Sequence, residues 1–148
     1  MREGITETFR RALSEAQLAA RGLNQDFVGT EHFMLGLLGT EGEAVGAVIS
    51  SHGEPAELKE VLQRALPRGE LAPVVTGDLP LSPRAQRAIN GAIVKAQSMR
   101  ESRVSTRFLL MSLLDEPGTL MREALDKCGV DFDVLQPKLA EKPATLEK

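Results

Sequence analysis

An internal repeat with an offset of 76 residues limits the possible folds of this chain more than any other feature. From Ile5 to Leu23, apolar residues follow one another at steps of one, three and four positions, which is typical of one face of an α-helix. The same steps return between Leu81 and Met99. The sequence therefore predicts one helical unit that occurs twice in tandem.

The first copy, residues 5–66, is predicted to contain four helices. Capping residues and glycines divide it into segments with a helical period. The predicted helix starts are Thr6, Thr30, Glu43 and Pro55. The third helix is expected to run from about Glu43 through Val45, Val48 and Ile49. Gly53 is expected to adopt the left-handed conformation that commonly follows a helix end.

The second copy, residues 81–140, repeats the same order of caps and breaks without a gap. Ser82 is predicted to cap its first helix, since Pro83 suits the first helical position. The other repeated positions are Val104, Thr106, Leu113, Leu114, Gly118 and Gly129. Pro137 should interrupt or displace the fourth helix after residues 131–136, because proline lacks an amide donor. These patterns predict an all-α protein of eight helices.

The two copies are expected to form a single domain, residues 1–148. Residues 67–80 contain three prolines and two glycines and have no helical period, so they are predicted to be a linker that crosses the surface. Residues 141–148 are expected to be a frayed tail.

The bulk properties argue against several functional classes. A net charge of −3 argues against broad binding to nucleic acids or anionic membranes, which requires clustered basic charge. The single cysteine, Cys128, cannot form an internal disulfide. No amino-terminal apolar run resembles a signal peptide or a membrane span, so we expect a cytoplasmic protein.

No pattern predicts a catalytic residue, a metal site or a cofactor. His32 and His52 fall in different helices, and the sequence has no His-Glu-x-x-His or Cys-x-x-Cys spacing. It also has no glycine-rich loop that ends in Lys-Ser or Lys-Thr, so we expect no ATP binding. Cys128 is predicted to be a small core residue. The chain is therefore not expected to be an enzyme.

Residues 28–38, VGTEHFMLGLL, combine a helix start with a short apolar helix. Thr30 is predicted to cap this helix, and Glu31 places a carboxylate at its positive end. The following residues are apolar on nearly every side, so the helix should be buried with only its amino end near solvent. That end is the candidate site.

This stretch, in register with residues 79–85 (LPLSPRA) and 128–131 (CGVD), resembles the amino-terminal domain of the Clp unfoldases, especially ClpC and ClpA. The resemblance covers about residues 5–140. It implies an eight-helix bundle of two four-helix Clp repeats with pseudo-twofold symmetry. It also implies a domain that receives protein substrates or adaptor proteins for a Clp ATPase ring and its protease subunits.

The resemblance further implies a ligand site. In ClpC-like domains the glutamate of this stretch, here Glu31, holds the guanidinium of a phosphorylated arginine that marks proteins for degradation. Thr30 belongs to the same stretch, and Thr6 together with helix N-terminal N–H groups could take the phosphate. A purely structural role for Glu31 stays open, since a carboxylate in the first turn stabilises a helix by about 0.3–1 kcal/mol.

The second copy carries an altered counterpart of this site. Arg107 replaces the carboxylate next to Thr106, and a cation repels a guanidinium. With Arg84 and the helix that starts at Ser82, Arg107 could still hold a simple phosphate or an acidic side chain. Phosphoarginine is therefore expected to bind once, through Glu31.

Two other functions stay open at this level. The chain could be a structural or regulatory subunit, of the plant ClpT kind, that docks on a Clp protease complex without touching substrates. It could also be a decoy that binds antibacterial peptides aimed at such domains.

Overall fold

The computed structural model describes residues 4–148, so residues 1–3 of the predicted domain lie outside the described range. Within that range the chain forms eight helices and no strand. The helices are α1 (Glu7–Gly22), α2 (Thr30–Leu38), α3 (Glu43–Ser50), α4 (Pro55–Ala65), α5 (Pro83–Ser98), α6 (Thr106–Asp115), α7 (Gly118–Lys127) and α8 (Phe132–Ala140). The predicted all-α class, with two successive sets of four helices, is confirmed.

The second helix of each repeat lies at the centre of the molecule. In α2 every residue except Glu31 is buried, and α6 is buried over most of its length. α2 packs against α1 and α4, and α6 packs against α5 and α8. The repeats join where α3 meets α6 and α8 and where α4 meets α7. One continuous apolar core therefore spans both repeats.

The start of each repeat's first helix crosses to the other repeat. Ile5 forms a parallel bridge with Val104, and Val28 forms one with Leu81. Backbone hydrogen bonds of 2.6–3.1 Å accompany both bridges. As a result, the N-terminus of α1 lies beside that of α6, and the N-terminus of α5 lies beside that of α2.

The first two helices of each repeat cross at close range because a glycine lies at the crossing. A Cβ built on Gly36 of α2 would collide with the Ala12 carbonyl of α1. In the second repeat the glycine lies on the other helix, where a Cβ built on Gly91 of α5 would collide with Ser112 Oγ of α6. Each copy thus obtains the same close packing with its glycine on a different helix.

The predicted helix caps are partly right. Thr6 and Ser82 cap α1 and α5 as predicted, since their hydroxyl oxygens accept hydrogen bonds from the first turn of each helix. The caps predicted for the second helices are wrong, because Thr30 and Thr106 are already helical and the residues before them hold the cap position. The hydroxyls of these two threonines are therefore free for other contacts.

The repeat offset changes by one residue towards the end of each copy. After α1 and α5, the left-handed residues Asn24 and Arg100 are 76 positions apart. After α3 and α7 they are His52 and Gly129, which are 77 positions apart. The predictions of an ungapped offset and of a left-handed Gly53 are therefore wrong. Gly53 is needed for packing instead, because a Cβ there would lie 2.8 Å from two valine side chains.

The last helix and the segment after it also differ from the prediction. α8 continues through Pro137. Pro137 is exposed, so water can satisfy the Asp133 carbonyl that lacks its helical donor, and the burial of Leu135 and Leu139 holds the helix against the core. Residues 141–148 are not frayed, since they fold back to the N-terminus of α1.

The third helix is present as predicted and contacts the core through small side chains. Ile49 is exposed, and the buried residues of α3 are Ala44, Ala47 and Val48. Two small alanines in these positions let α3 approach α6 and α8 closely.

The connection between the repeats contains no helix and runs along α1. Gln17 of α1 exchanges hydrogen bonds of 2.8 and 3.1 Å with the backbone of Leu79, which is buried. Arg21, one turn further along, donates to the Val75 carbonyl at 3.0 Å. The connection is therefore attached to the first repeat along its length.

As for membrane spans, no single helix in residues 4–148 is both long enough and apolar enough to cross a bilayer. α2 and α3 meet the criteria only when taken together, as a pair bent by 81°.

Candidate functional site

The amino end of α2 is held by His32. The N–H of Gly29 donates to His32 Nδ1 at 2.8 Å, which satisfies the backbone at the cap position. His32 is buried and lies edge-on to the Phe27 ring, with ring centres 6.0 Å apart. Burial lowers the pKa of its imidazole, although the Glu31 carboxylate acts in the opposite direction. A neutral His32 thus fixes the helix start that carries Glu31.

The N-termini of α2, α5 and α7 meet around Glu31, and we call this region the Glu31 site. It comprises Thr30, Glu31, Ser82, Arg84 and Gly118. Thr30 Oγ1 donates to Glu31 Oε2 at 3.2 Å. A Cβ built on Gly118 would lie 3.3 Å from Arg84 Nη2 and 3.5 Å from Glu31 Oε2, so both charged groups face one point. An adjoining cavity of about 150 Å³ is lined in part by Thr30 and Arg84.

The Glu31 site offers opposite charges side by side. Glu31 is half-buried and Arg84 is exposed, and Arg84 Nη2 donates to the Glu116 carbonyl at 2.7 Å. A carboxylate suits a guanidinium ligand, whereas an arginine beside helix N-termini suits an anion. The arrangement can therefore accommodate a group that carries both charges.

The equivalent place in the other half lies between the N-termini of α1, α3 and α6, and we call it the Thr6 site. It comprises Thr6, Glu43, Thr106 and, from the last segment, Glu147. Glu147 Oε2 accepts hydrogen bonds from Thr6 Oγ1 (2.5 Å) and from Thr106 N–H (2.8 Å). Glu147 Oε1 accepts from Glu43 N–H (2.8 Å) and from Thr106 Oγ1. A carboxylate of the chain itself thus occupies this site.

Arg107 is buried and used internally. It is 3% exposed, its Nε lies 3.2 Å from Glu43 Oε1, and its Nη1 donates to the Leu139 carbonyl at 2.8 Å. Glu101 Oε1 lies 3.6 Å from Nη2, and the guanidinium carbon lies 4.3 Å from the centre of the Phe108 ring. The guanidinium of the second repeat is therefore not presented to a ligand at the surface.

The structure groups the predicted site residues differently from the sequence analysis. Thr6 lies with Thr106 and not beside Glu31. Arg84 lies beside Glu31 and not beside Arg107. The crossing of the repeats explains both differences, because each first helix starts next to the second helix of the other repeat.

Sequence reasoning missed Glu43, Gly118 and Glu147. Glu43 and Glu147 belong to no motif, and Glu147 lies in a segment that was expected to be frayed. One signal was present, since Gly118 repeats Gly42 at the offset of 76 and both glycines precede or begin a helix at a site. A Cβ at either position would approach the atoms of its site, as described for Gly118.

The remaining reactive side chains lie elsewhere. Cys128 is half-buried and packs against the core. The pKa of its thiol is raised, mainly by burial and further by the negative charge and hydrogen bond of Glu57. His52 forms the exposed left-handed turn after α3. Across residues 4–148 no group of three or more His, Cys, Asp or Glu side chains is placed to hold a metal ion.

Comparison with known proteins gives a consistent assignment. The family model of the Clp repeat (R) N-terminal domain matches residues 4–108 and residues 81–148. The two matches overlap and together cover the whole described chain.

Named relatives match over most of this chain. The ATP-dependent Clp protease ATP-binding subunit ClpA homolog of Cyanidium caldarium is 30% identical over 141 residues, which are 94% of this chain and 16% of the relative. The chloroplastic chaperone protein ClpC1 of Oryza sativa subsp. japonica is 32% identical over 135 residues, which are 88% of this chain and 14% of the relative. The chain thus spans only about 14–16% of the length of these relatives.

Solved structures share the fold at lower identity. The N-terminal domain of ClpD from Arabidopsis thaliana has a TM-score of 0.76 and 20% identity, with 93% of both chains covered. The Hsp104 N-terminal domain from Candida albicans has a TM-score of 0.77 and 16% identity, over 93% of this chain and 89% of that chain. A ClpV N-domain in complex with a VipB peptide has a TM-score of 0.70 and 14% identity, over 97% of this chain and 91% of that chain. Because the family model and the fold agree along residues 4–148, the chain belongs to the family of Clp repeat N-terminal domains.

Proposed function

We propose that this chain is a binding domain that brings protein substrates or adaptor proteins to a Clp-type ATP-dependent system for protein unfolding and proteolysis. Its family supports the proposal. The main structural support is the Glu31 site, where the Glu31 carboxylate and the Arg84 guanidinium face a common point at the surface. A related ClpV N-domain has been solved with a VipB peptide, which supports peptide binding by this fold.

We further propose that the domain binds its partners without catalysing a reaction. The raised pKa of the Cys128 thiol disfavours the thiolate, which is the nucleophilic form. His32 is buried and its Nδ1 is engaged by the α2 cap, so it is poorly placed to exchange protons with a substrate.

Within this function, we propose that the Glu31 site takes a phosphorylated arginine of a client protein. Glu31 would pair with the guanidinium through charge-assisted hydrogen bonds. Arg84 and the N-termini of α2 and α5 would hold the phosphate, since helix N-termini favour anions. Thr6 was expected to bind the phosphate but lies in the Thr6 site. We therefore propose that Arg84 and Ser82 bind the phosphate instead.

Calorimetry with free phosphoarginine tests this assignment. We expect one site per chain and no binding in Glu31→Gln or Glu31→Ala, because the partner of the guanidinium is lost. Arg84→Gln should weaken binding by roughly tenfold or more, as the loss of one charge-assisted bond predicts. The control Glu41→Gln removes an exposed carboxylate that lies beside residues 141–147 and not at the Glu31 site, so it should bind like the wild type. Binding that survives both Glu31 variants, or two equivalent sites, would show that the assignment is wrong.

A pulldown with the immobilised domain tests the broader function. A receptor should retain unfolded or arginine-phosphorylated client proteins, and Glu31→Gln should release the phosphorylated ones. Retention of Clp protease or ring subunits alone would favour a docking subunit that does not touch substrates.

A further inference from the structure

Residues 141–148 are attached to the helices mainly at their far end. Glu147 places its carboxylate in the Thr6 site, and its N–H donates to Glu43 Oε2 at 2.9 Å. The N–H and hydroxyl of Thr8 donate to the Lys148 carbonyl at 2.8 and 2.9 Å. Residues 143–146 make no hydrogen bond to any other part of the described chain. They border a cavity of about 560 Å³ that separates them from α3 and α8.

The Thr6 site is shaped for the carboxylate that it holds. Thr6 and Thr106 are 2% and 0% exposed with the segment in place, and their hydroxyl oxygens accept hydrogen bonds from the N–H groups of Phe9 and Ala44. Among the described residues, Glu147 supplies the acceptor for the protons of both hydroxyls and for the Thr106 N–H, which would lack one without it. A Cβ built on Gly42 would lie 2.7 Å from Glu147 Oε1 and from Thr106 Oγ1. Glycine at this position therefore leaves the space that the carboxylate fills.

The charges around the site also favour an added carboxylate. Glu43 alone would repel Glu147, but Arg107 lies 3.2 Å from Glu43 Oε1 and compensates its charge. Ser105 Oγ donates to the same Glu43 oxygen at 2.5 Å. The carboxylate of Glu147 thus lies at the positive ends of α1, α3 and α6, beside the Glu43–Arg107 pair, whose charges compensate each other.

The other half shows that the fold does not need a segment in this position. The Glu31 site lies at the pseudo-equivalent place, where Gly118 corresponds to Gly42 and Thr30 to Thr106. No segment of the described chain inserts a carboxylate there. The segment in the Thr6 site is therefore a ligand of the fold rather than a part of its core.

We propose that residues 141–148 are an internal ligand of the Thr6 site, and that the site takes an acidic side chain of an extended peptide from a partner protein when this segment is displaced. The tether gives the segment an effective concentration of about the millimolar range. Partner peptides that bind weakly then cannot displace the segment from the Thr6 site. Peptides that bind more tightly, or that also contact a second place on the domain, can displace it. The inference does not depend on Glu31 or on phosphoarginine.

A peptide exchange experiment tests the proposal on the whole chain. The probe is a fluorescein-labelled peptide with the sequence of residues 140–148, amidated at its end, and binding is followed by fluorescence anisotropy. The probe should bind to Glu147→Ala roughly tenfold or more tightly than to the wild type, because the internal competitor is gone. A probe with glutamine in place of the glutamate that corresponds to Glu147 should bind to this variant roughly tenfold more weakly.

Two further variants serve as controls. Glu141→Ala removes an exposed carboxylate from the same segment and should bind the probe as weakly as the wild type does. Gly42→Ala, added to Glu147→Ala, should abolish binding, because the new methyl group occupies the carboxylate position. Equal binding of the probe to wild type and Glu147→Ala, or equal binding of the two probes, would overturn the proposal.

Folding is checked by circular dichroism, and Glu147→Gln, which keeps the shape of the side chain, provides a second variant. Loss of the fold in both Glu147→Ala and Glu147→Gln would show that the segment is a permanent part of the structure, and would also overturn the proposal.

Discussion

The backbone N–H of Gly29 donates to Nδ1 of His32 at 2.8 Å, one turn along α2. A ring nitrogen that accepts this bond carries no proton, and burial lowers the pKa of the imidazole in favour of the same neutral state. Protonation of His32 would remove the cap bond and place a cation at the positive end of a helix. The stability of α2 is therefore coupled to pH.

We predict that His32 makes the domain less stable as the pH falls below about 6.5. The pKa of His32 is lower in the folded chain than its ordinary value of 6.5, so the unfolded chain takes up the proton first. The free energy of unfolding should fall by up to about 1.4 kcal/mol per pH unit in that window. Urea unfolding at about pH 7.5 and about pH 5.5 measures this, above the range in which carboxylates titrate.

A matched pair of variants assigns the pH effect. His32→Gln should flatten it, because glutamine can accept the same cap bond without titrating. His52→Gln changes the exposed histidine and should leave the effect in place. An equally steep fall in His32→Gln would mean that another group causes it.

The central helices should be sensitive to truncation. Leu37 of α2 and Leu113 of α6 are each 1% exposed, so Leu37→Ala or Leu113→Ala should lower the free energy of unfolding by about 2–5 kcal/mol through the cavity left behind. Leu71→Ala is the control, since this side chain is 83% exposed. Chemical denaturation curves that do not differ between Leu37→Ala and Leu71→Ala would contradict a central position for α2.

Two glycines inside helices should respond to alanine in opposite directions. Gly36→Ala should destabilise the domain by about 1–3 kcal/mol, because the new methyl group meets the Ala12 carbonyl and pushes α1 and α2 apart. Gly46→Ala should stabilise it by about 0.5–1 kcal/mol, because nothing lies within 4 Å of the new Cβ and alanine favours the helix. Thermal unfolding of both variants side by side tests the crossing geometry, and a stabilised Gly36→Ala would refute it.

Breaking a buried arginine–glutamate pair should lower the free energy of unfolding much more than breaking an exposed one. Arg107→Met leaves Glu43 buried without its partner and should cost about 3–5 kcal/mol of unfolding free energy. Arg87→Met breaks an exposed pair with Glu116, 3.6 Å apart, and should cost less than about 1 kcal/mol. Urea unfolding at low and high salt separates the two, since salt should change only the exposed pair noticeably. Similar losses in the two variants would show that Arg107 is not an internal charge.

The helices could be predicted from the sequence because their causes are local. The apolar stripe of α1 depends on residues one turn apart, and the caps Thr6 and Ser82 bond within the first turn. The burial of α2 follows from a run of apolar residues that leaves no polar face. The left-handed residue after α3 was predicted wrongly because the role of Gly53 depends on tertiary packing. Gly53 is required for its small size between two valines, and His52 adopts the left-handed conformation instead.

The composition of the two sites could not be predicted because its causes are distant in sequence. Thr6 reaches Thr106 only because Ile5 pairs with Val104, 99 positions away. No local sequence pattern predicts such a bridge between extended residues. Glu147 was missed for the same reason, since an acidic residue in a polar segment resembles any solvated charge until its partners are known.

The crossing of the two repeats has a consequence for how such a domain could arise. One repeat alone lacks the neighbouring helix start that completes its site, so it could build the site only as a twofold homodimer. Both sites of such a dimer would carry identical residues. Joining the two copies in one chain removes that restriction, so Glu31 can lie in one site while its counterpart Arg107 is buried behind the other, against Glu43.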